Sequence, residues 1–438
     1  LNLFNIKENV TAKFKLRLDR MFSALKYRNY RLFFCGQSIS LIGTWAQKIA
    51  VSWLVYRMTD SVFMLGVAGF AGQIPTFFIA PFAGVISDRY SRRRLLIVTQ
   101  ALSLLQSAVL TFLVLNRSIT VRELIFLSLF LGVINAFDIP IRQSFTVEMI
   151  EGGGKDLGNA IALNSSMANI AKLVGPSVAG ILIAVVGEGI CFLINAVSYL
   201  AVIASLLAMN IWEKKRVIHK TRIINELKEG FNYVLKSEPI KHILLLSGLT
   251  GFMGHPYIVL MPVFARDILH GGPHTLGFLM AGSGLGALTG AFFLANRGTV
   301  RGLFGRIMSG AAVIFSCSLI AFSFSKYFWL SLFLLFFTGF GMMVQMASSN
   351  TVLQTIVDED KRGRVMSFYT MAFMGMTPLG SLAAGALADV IGAQHVLLIG
   401  GLSCLMAAII FYGKLPLLKK HIRPIYVEKG IIQESNID

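Results

Sequence analysis

The stretch "GVISDRYSRRR", residues 84–94, sets one acid and four arginines, Asp88 with Arg89, Arg92, Arg93 and Arg94, between two long apolar runs. A bilayer-spanning helix needs about 20 predominantly apolar residues. The flanking runs, 62–86 and 95–115, both meet that length. Ten more runs do so, near 32–56, 124–145, 159–185, 189–209, 242–265, 275–295, 303–325, 327–352, 365–388 and 395–413. The chain has 438 residues, 55% hydrophobic and 14% charged. About a quarter of a soluble domain is charged, so a soluble fold is excluded. The expected fold class is an all-α membrane protein with twelve transmembrane helices.

A formal net charge of +18 could indicate a nucleic-acid partner, so the placement of the cations decides. Lys and Arg crowd alternate loops. They fill the N-terminal segment (Lys13, Lys15, Arg17, Arg20, Lys26, Arg28), the 84–94 loop, the segment 210–241, the later loops at Arg297, Arg301, Lys361, Arg362 and Arg364, and the end at Lys419, Lys420 and Arg423. The loops between are short and poor in them. This is the positive-inside pattern, which places both termini in the cytoplasm and argues against nucleic acid. Cys35, Cys191, Cys317 and Cys404 fall singly inside expected helices and read as small apolar core residues with no disulfide. The first apolar run lacks a small-residue cleavage site and reads as a retained helix.

The polar stretch 210–241 divides the spans six and six, and the two sets repeat. A shift of 205 residues lays "SFTV" (144–147) on "SNTV" (349–352), Gly158 on Gly363, Gly175 on Gly380, "AG" (179–180) on "AG" (384–385) and Gly187 on Gly392, without a gap. The expected organisation is a cytoplasmic segment 1–31, a six-helix half 32–209, a linker 210–241, a second half 242–413 and a cytoplasmic tail 414–438. Two parallel six-helix halves are an arrangement in which substrate binds near the midplane between them.

With topology and repeat in place, Gly84, Asp88, Arg89, Arg92 and Arg93 fit G-x-x-x-D-R-x-x-R-R, which resembles the signature loop of the major facilitator superfamily. "GPSVAG" (175–180), with Gly175, Pro176 and Gly180, resembles that superfamily's helix-five antiporter motif, although Ala162, Ala171 and Ala179 stand where the motif has glycine. "YRNYRLFFCGQSISLIGTWAQ", "NAFDIPIRQSF" and "RGRVMSF" are similar to a branch that includes a siderophore exporter. The resemblance covers residues 25–413. It implies the superfamily fold and a conformational latch, in which Asp88 caps the start of the eleventh span near Arg364 to Ser367. It also implies that Arg92 reaches Asp138, with Arg142 beside it, latching the two halves on the cytoplasmic side while the protein opens outward.

Ionisable groups at membrane depth are costly and read as functional. Lys48, Asp138, Arg142, Lys172 and His255 qualify. Asp138 and Arg142 share a helix face four residues apart. Lys48 and Lys172 lie at similar depth, too far in to snorkel easily. They are the expected substrate-binding cations, with Trp45, Gln345, Asn164 and Tyr369 as further lining; the alternative is that each pairs with a buried acid. Asp138 and His255 are the proton-coupling candidates. There is no phosphate-binding P-loop, nucleophile elbow or metal-binding cluster. Neither enzyme activity nor a cofactor or metal is therefore expected. Together with the resemblance, these residues lead to an expected monomeric secondary transporter of a bacterial inner membrane. It would export a small polar, anionic metabolite, a siderophore foremost, by alternating access with proton antiport. Multidrug efflux and import of a metal–siderophore complex are the alternatives.

Overall fold

The computed structural model describes residues 22–150, 156–211, 223–297, 302–359 and 361–431, and for 80–89 and 223–229 the backbone alone. Those residues are helical throughout, with no β-strand among them. In chain order the helices are α1 Arg28–Thr59, α2 Val62–Arg89, α3 Arg92–Leu115, α4 Val121–Phe145, α5 Leu157–Val186 and α6 Glu188–Leu207. After these come α7 Ile223–Lys236, α8 Glu238–Ile268, α9 Pro273–Arg297, α10 Met308–Ser323, α11 Phe328–Ile356, α12 Arg362–Ile391 and α13 Ala393–Glu428.

Eleven helices among the described residues are long and apolar enough to cross a membrane. α1 covers the run expected at 32–56 but is more polar, because Gln37, Ser40, Thr44, Gln47 and Lys48 interrupt it. The linker and tail segments expected outside the two halves both contain helix. The segment 210–241 holds the short helix α7, and in the segment expected as the tail residues 414–428 continue α13. Leu415, Leu418, Ile422 and Tyr426 keep that extension helical by packing against the cluster around Leu303, Val352 and Val365.

Local sequence explains where the helices start and bend. Thr120 accepts from the Glu123 N–H while the Glu123 carboxylate accepts from the Thr120 N–H, a reciprocal capping box at the start of α4. Gly187 and Gly392, matched by the repeat, take φ of +82° and +85° and join α5 to α6 and α12 to α13. Only glycine adopts that backbone at no steric cost. α8 opens into π turns at Thr250–Gly254 and Phe264–Ile268, and α12 into one at Met371–Gly375. Such turns break the regular hydrogen-bond ladder and recur at functional positions.

Among the described residues the apolar core is continuous at one end of the bundle and divided at the other. Away from the termini, residues of α1, α2 and α5 such as Leu54, Leu65 and Ala179 share one cluster with Leu260, Leu276, Phe315 and Ala388. Near the termini, Tyr30, Phe33, Ile141 and Phe145 form a cluster drawn from α1, α3, α4, α5 and α6 and the residues flanking them, while Ile243, Met308, Val352 and Phe411 belong to a separate one. The cysteine expectation is half right: Cys191 and Cys404 are buried, whereas Cys35 and Cys317 are exposed, and all four are free thiols.

Candidate functional site

A buried polar ladder fixes the rotation of α1. The Gln47 amide donates to Gln106 Oε1 at 2.9 Å, and its own oxygen accepts from Ser107 Oγ at 2.5 Å and Asn195 Nδ2 at 2.8 Å. Polar groups inside a membrane protein bond across helices because lipid offers no alternative. With Gln47 turned toward α3 and α6, Trp45 and Lys48 fall on another face of α1. α5 approaches that face closely. A methyl group added at Gly175 would sit 2.5 Å from Trp45 Cβ and 2.9 Å from the Ile42 carbonyl.

The approach brings both deep lysines to one indole. Lys48 Nζ lies 4.6 Å from the centre of the Trp45 ring and Lys172 Nζ 5.7 Å. The two ammonium groups are therefore no more than about 10 Å apart, the sum of those distances. At that separation and an effective dielectric constant near 20, their repulsion is about 1.7 kcal/mol. Both side chains are exposed, so they look onto open space. Among the described residues, neither has a carboxylate within ion-pair distance. The indole faces supply part of the missing stabilisation, since a cation over tryptophan gains about 0.5–2 kcal/mol.

Arg142 and His255 lie within Coulombic reach of this pair. Arg142 is compensated by Asp138 at 3.4 Å. Asp138 is buried and also accepts from Thr99 Oγ1 at 2.9 Å and Gln100 Nε2 at 2.8 Å. The reach of Arg92 to Asp138, expected for the outward-open state, is not made in this conformation. Arg92 bonds Glu148 at 3.0 Å and the Ser144 carbonyl at 3.1 Å, because it opens α3 beside the end of α4, whereas Asp138 sits deeper along α4. Arg93 donates to the Leu206 and Leu207 carbonyls at the end of α6. The side chains of Gly84, Asp88 and Arg89 lie outside the described residues, so the rest of the latch does too.

Other expected lining residues are spent on structure. The Asn164 oxygen accepts from Tyr30 OH at 3.0 Å and its amide donates to Thr146 Oγ1 at 3.2 Å, near the termini end of the bundle. Tyr369 OH donates to the Met346 carbonyl at 2.8 Å. Gln345 is buried and donates to Thr250 Oγ1 at 2.9 Å, bracing the π turn of α8. His255 follows that turn and stands edge-on to Phe373 of the α12 π turn, with ring centroids 5.7 Å apart. Among the described residues its ring has no hydrogen-bond partner, and it is not paired with Asp138. The Gln47 ladder and both π turns went unnoticed in the sequence; Gly251, Pro256 and Gly375 were the available signals.

Two helix crossings and a set of polar contacts join the sets at the end away from the termini. α5 meets α9 where Gly180 faces Gly277, and α2 meets α12 where Gly66 faces Gly385, with backbone against backbone at both. The Asp389 carboxylate accepts from the N–H groups of Val62 at 2.9 Å and Phe63 at 3.2 Å and from Ser61 Oγ at 3.3 Å, capping α2 from α12. Arg266 pairs with Asp60 at 2.5 Å, and Tyr56 OH donates to Asp267.

A multi-pass helical bundle, joined at one end, with charged side chains facing open space between its helices, has the architecture of a membrane transporter. Comparison with known proteins makes this specific: the chain belongs to the transmembrane secretion effector family of the major facilitator superfamily, whose family model matches residues 20–425. It is similar to the staphyloferrin A transporter of Staphylococcus aureus, 25% identical over 385 residues, covering 87% of this chain and 95% of that one. It is equally similar to macrolide efflux protein A of Streptococcus pyogenes, 25% identical over 402 residues, covering 88% and 96%. Among solved structures, the peptide transporter POT superposes with a TM-score of 0.72 at 11% identity, covering 90% of this chain and 95% of that one. An inward-facing bacterial homologue of the human lysosomal transporter Spinster gives 0.67 at 13%, covering 90% and 98%. The protein is a transporter and not an enzyme.

Proposed function

We propose that the protein is a secondary transporter of a bacterial inner membrane, built as twelve spans in two six-helix halves with both termini cytoplasmic. It exports a small polar anion, with a siderophore-class metabolite the leading candidate. The observation that carries this reading is the pair of exposed ammonium groups, Lys48 and Lys172, on one indole without a carboxylate partner. Unpaired charge at membrane depth is costly unless a ligand or pathway uses it. Similarity to a staphyloferrin A transporter supports a siderophore. Similarity to a macrolide efflux protein supports outward transport. Drug efflux is the second reading; an acid in the cavity would favour it for cationic drugs, and here the surplus charge is positive.

Alternating access accounts for the packing. The shared core, the Asp389 cap and the Arg266–Asp60 pair lie at the end assigned to the outer surface. Among the described residues the divided cores lie at the inner end, which supports an inward-facing conformation. Proton antiport is the proposed coupling, with Asp138 and His255 the residues to test first; Asp88 and its neighbours Gly84, Arg89, Arg92 and Arg93 are the proposed latch for the opposite state.

The test compares metabolites secreted by a deletion strain and its parent, followed by counterflow of the identified compound in proteoliposomes with and without a pH gradient. An anionic metabolite missing from the medium, retained in the cells and exchanged by the purified protein is the expected result. Unchanged secretion of anions combined with increased drug sensitivity would replace this reading with drug efflux. Exchange indifferent to a protonophore and to the pH gradient would remove the coupling.

A further inference from the structure

The site also constrains how much charge its cargo must bring; this step rests on the reading of Lys48 and Lys172 as the substrate site. Around the Trp45 ring the charges do not balance. Arg142 is neutralised by Asp138, and His255 stands against Phe373 with no acid beside it. Among the described residues, no carboxylate compensates Lys48 or Lys172, leaving a local surplus of two positive charges.

Geometry adds a second condition. The two ammonium groups are held on one aromatic platform, no more than about 10 Å apart, the sum of their distances to the ring centre. The base of the platform is held, because α5 packs Gly175 against Trp45 Cβ and the Ile42 carbonyl. A ligand with two anionic groups can meet both cations within that span, beside the ring. Passage through an occluded state removes water from all three, and any ammonium left without a counter-charge then bears the full desolvation cost. A monoanion leaves one such group; a dianion leaves none.

We propose that the substrate carries at least two acidic groups, carboxylates or their equivalent, separated by a short spacer. One group binds Lys48, the other binds Lys172, and the spacer rests on the Trp45 indole. Trp45 is then a specificity-determining residue that selects spacer length, and the two lysines select charge.

The experiment uses the purified full-length protein in detergent, with acetate, succinate and propane-1,2,3-tricarboxylate as probes at constant ionic strength. Binding is read by tryptophan fluorescence and by the shift in melting temperature. Succinate and the tricarboxylate are expected to bind at least tenfold more tightly than acetate. Lys48→Gln and Lys172→Gln should each bring succinate to the level of acetate while leaving the ligand-free melting temperature unchanged. Lys48→Arg, which keeps the charge, should retain most of the succinate preference and serves as the control should the glutamine variant fold poorly. Equal binding of acetate and succinate, or equal loss of both in the variants, overturns the two-point site while leaving an anion site standing. Failure of every carboxylate to bind, with the protein folded, removes the anion reading and this inference together.

Discussion

α5 and α12 occupy corresponding places in the repeat, and their glycines do corresponding work. Gly175 lets α5 lie against α1, as Gly380 lets α12 lie against α8, where an added methyl would fall 2.1 Å from the Phe252 carbonyl oxygen. Gly180 and Gly385 likewise make the crossings to α9 and α2. The polar positions diverge. Lys172 is exposed over an indole, whereas its counterpart Thr377 is buried and bonds back to the Phe373 carbonyl at 2.9 Å. α5 runs unbroken, with Pro176 inside it; α12 opens into a π turn. The two helices share the close packing, while one carries the charge and the other the bend. Small residues at helix contacts are constrained by backbone sterics in both copies, and groups facing open space are not.

The largest expected effect comes from exchanging the divergent pair. Thr377→Lys buries an ammonium with no partner and should destabilise the protein by several kcal/mol, with loss of folded material in gel filtration. Lys172→Thr, the reverse exchange, should leave the melting temperature within a degree or two while weakening anion binding roughly 10- to 150-fold. Equal stability of the two variants would show that the two positions are not environmentally distinct.

A smaller effect is expected at the packing glycine. Gly175→Ala forces Trp45 to move, at a cost of about 1–3 kcal/mol for overpacking. Because the indole carries both ammonium groups, anion affinity should fall together with stability. A variant that loses stability but keeps its affinity would uncouple the helix-five motif from the site.

The smallest concerns the closed end. Asp389→Asn leaves the exposed cap uncharged and removes an anion at a helix N-terminus, a change of about 0.3–1 kcal/mol. The outward-open population should rise about two- to fivefold, read as faster thiol labelling of a cysteine placed at Ser61. Unchanged labelling would mean that the glycine crossings alone hold this end.

Much of this was legible before any coordinates, for physical reasons that differ by residue. Lipid demands long apolar runs, so the spans announced themselves, and α1 fell short of the others only because it carries Gln37, Ser40, Gln47 and Lys48. The repeat was legible because Gly175, Gly180 and Gly187 are each irreplaceable by contact or by φ. Lys48 and Lys172 stood out because charge at depth is rare. Their shared indole was not legible, since it depends on how α1 is rotated, and the Gln47–Gln106–Asn195 ladder that sets the rotation draws on three separate helices. Asn164 and Tyr369 misled for the same reason: a polar side chain in a span has the same composition whether it faces a substrate or a neighbouring carbonyl.

The glycine crossings bear on leakage as well as on packing. At Gly66–Gly385 and Gly180–Gly277 the helices touch main chain to main chain, and no side chain stands between them to leave a crevice for water. A file of water molecules is what a proton needs to slip across a carrier without cargo. In the proposed cycle these two close seams would act as insulation, letting the helices tilt past one another without opening a path for protons.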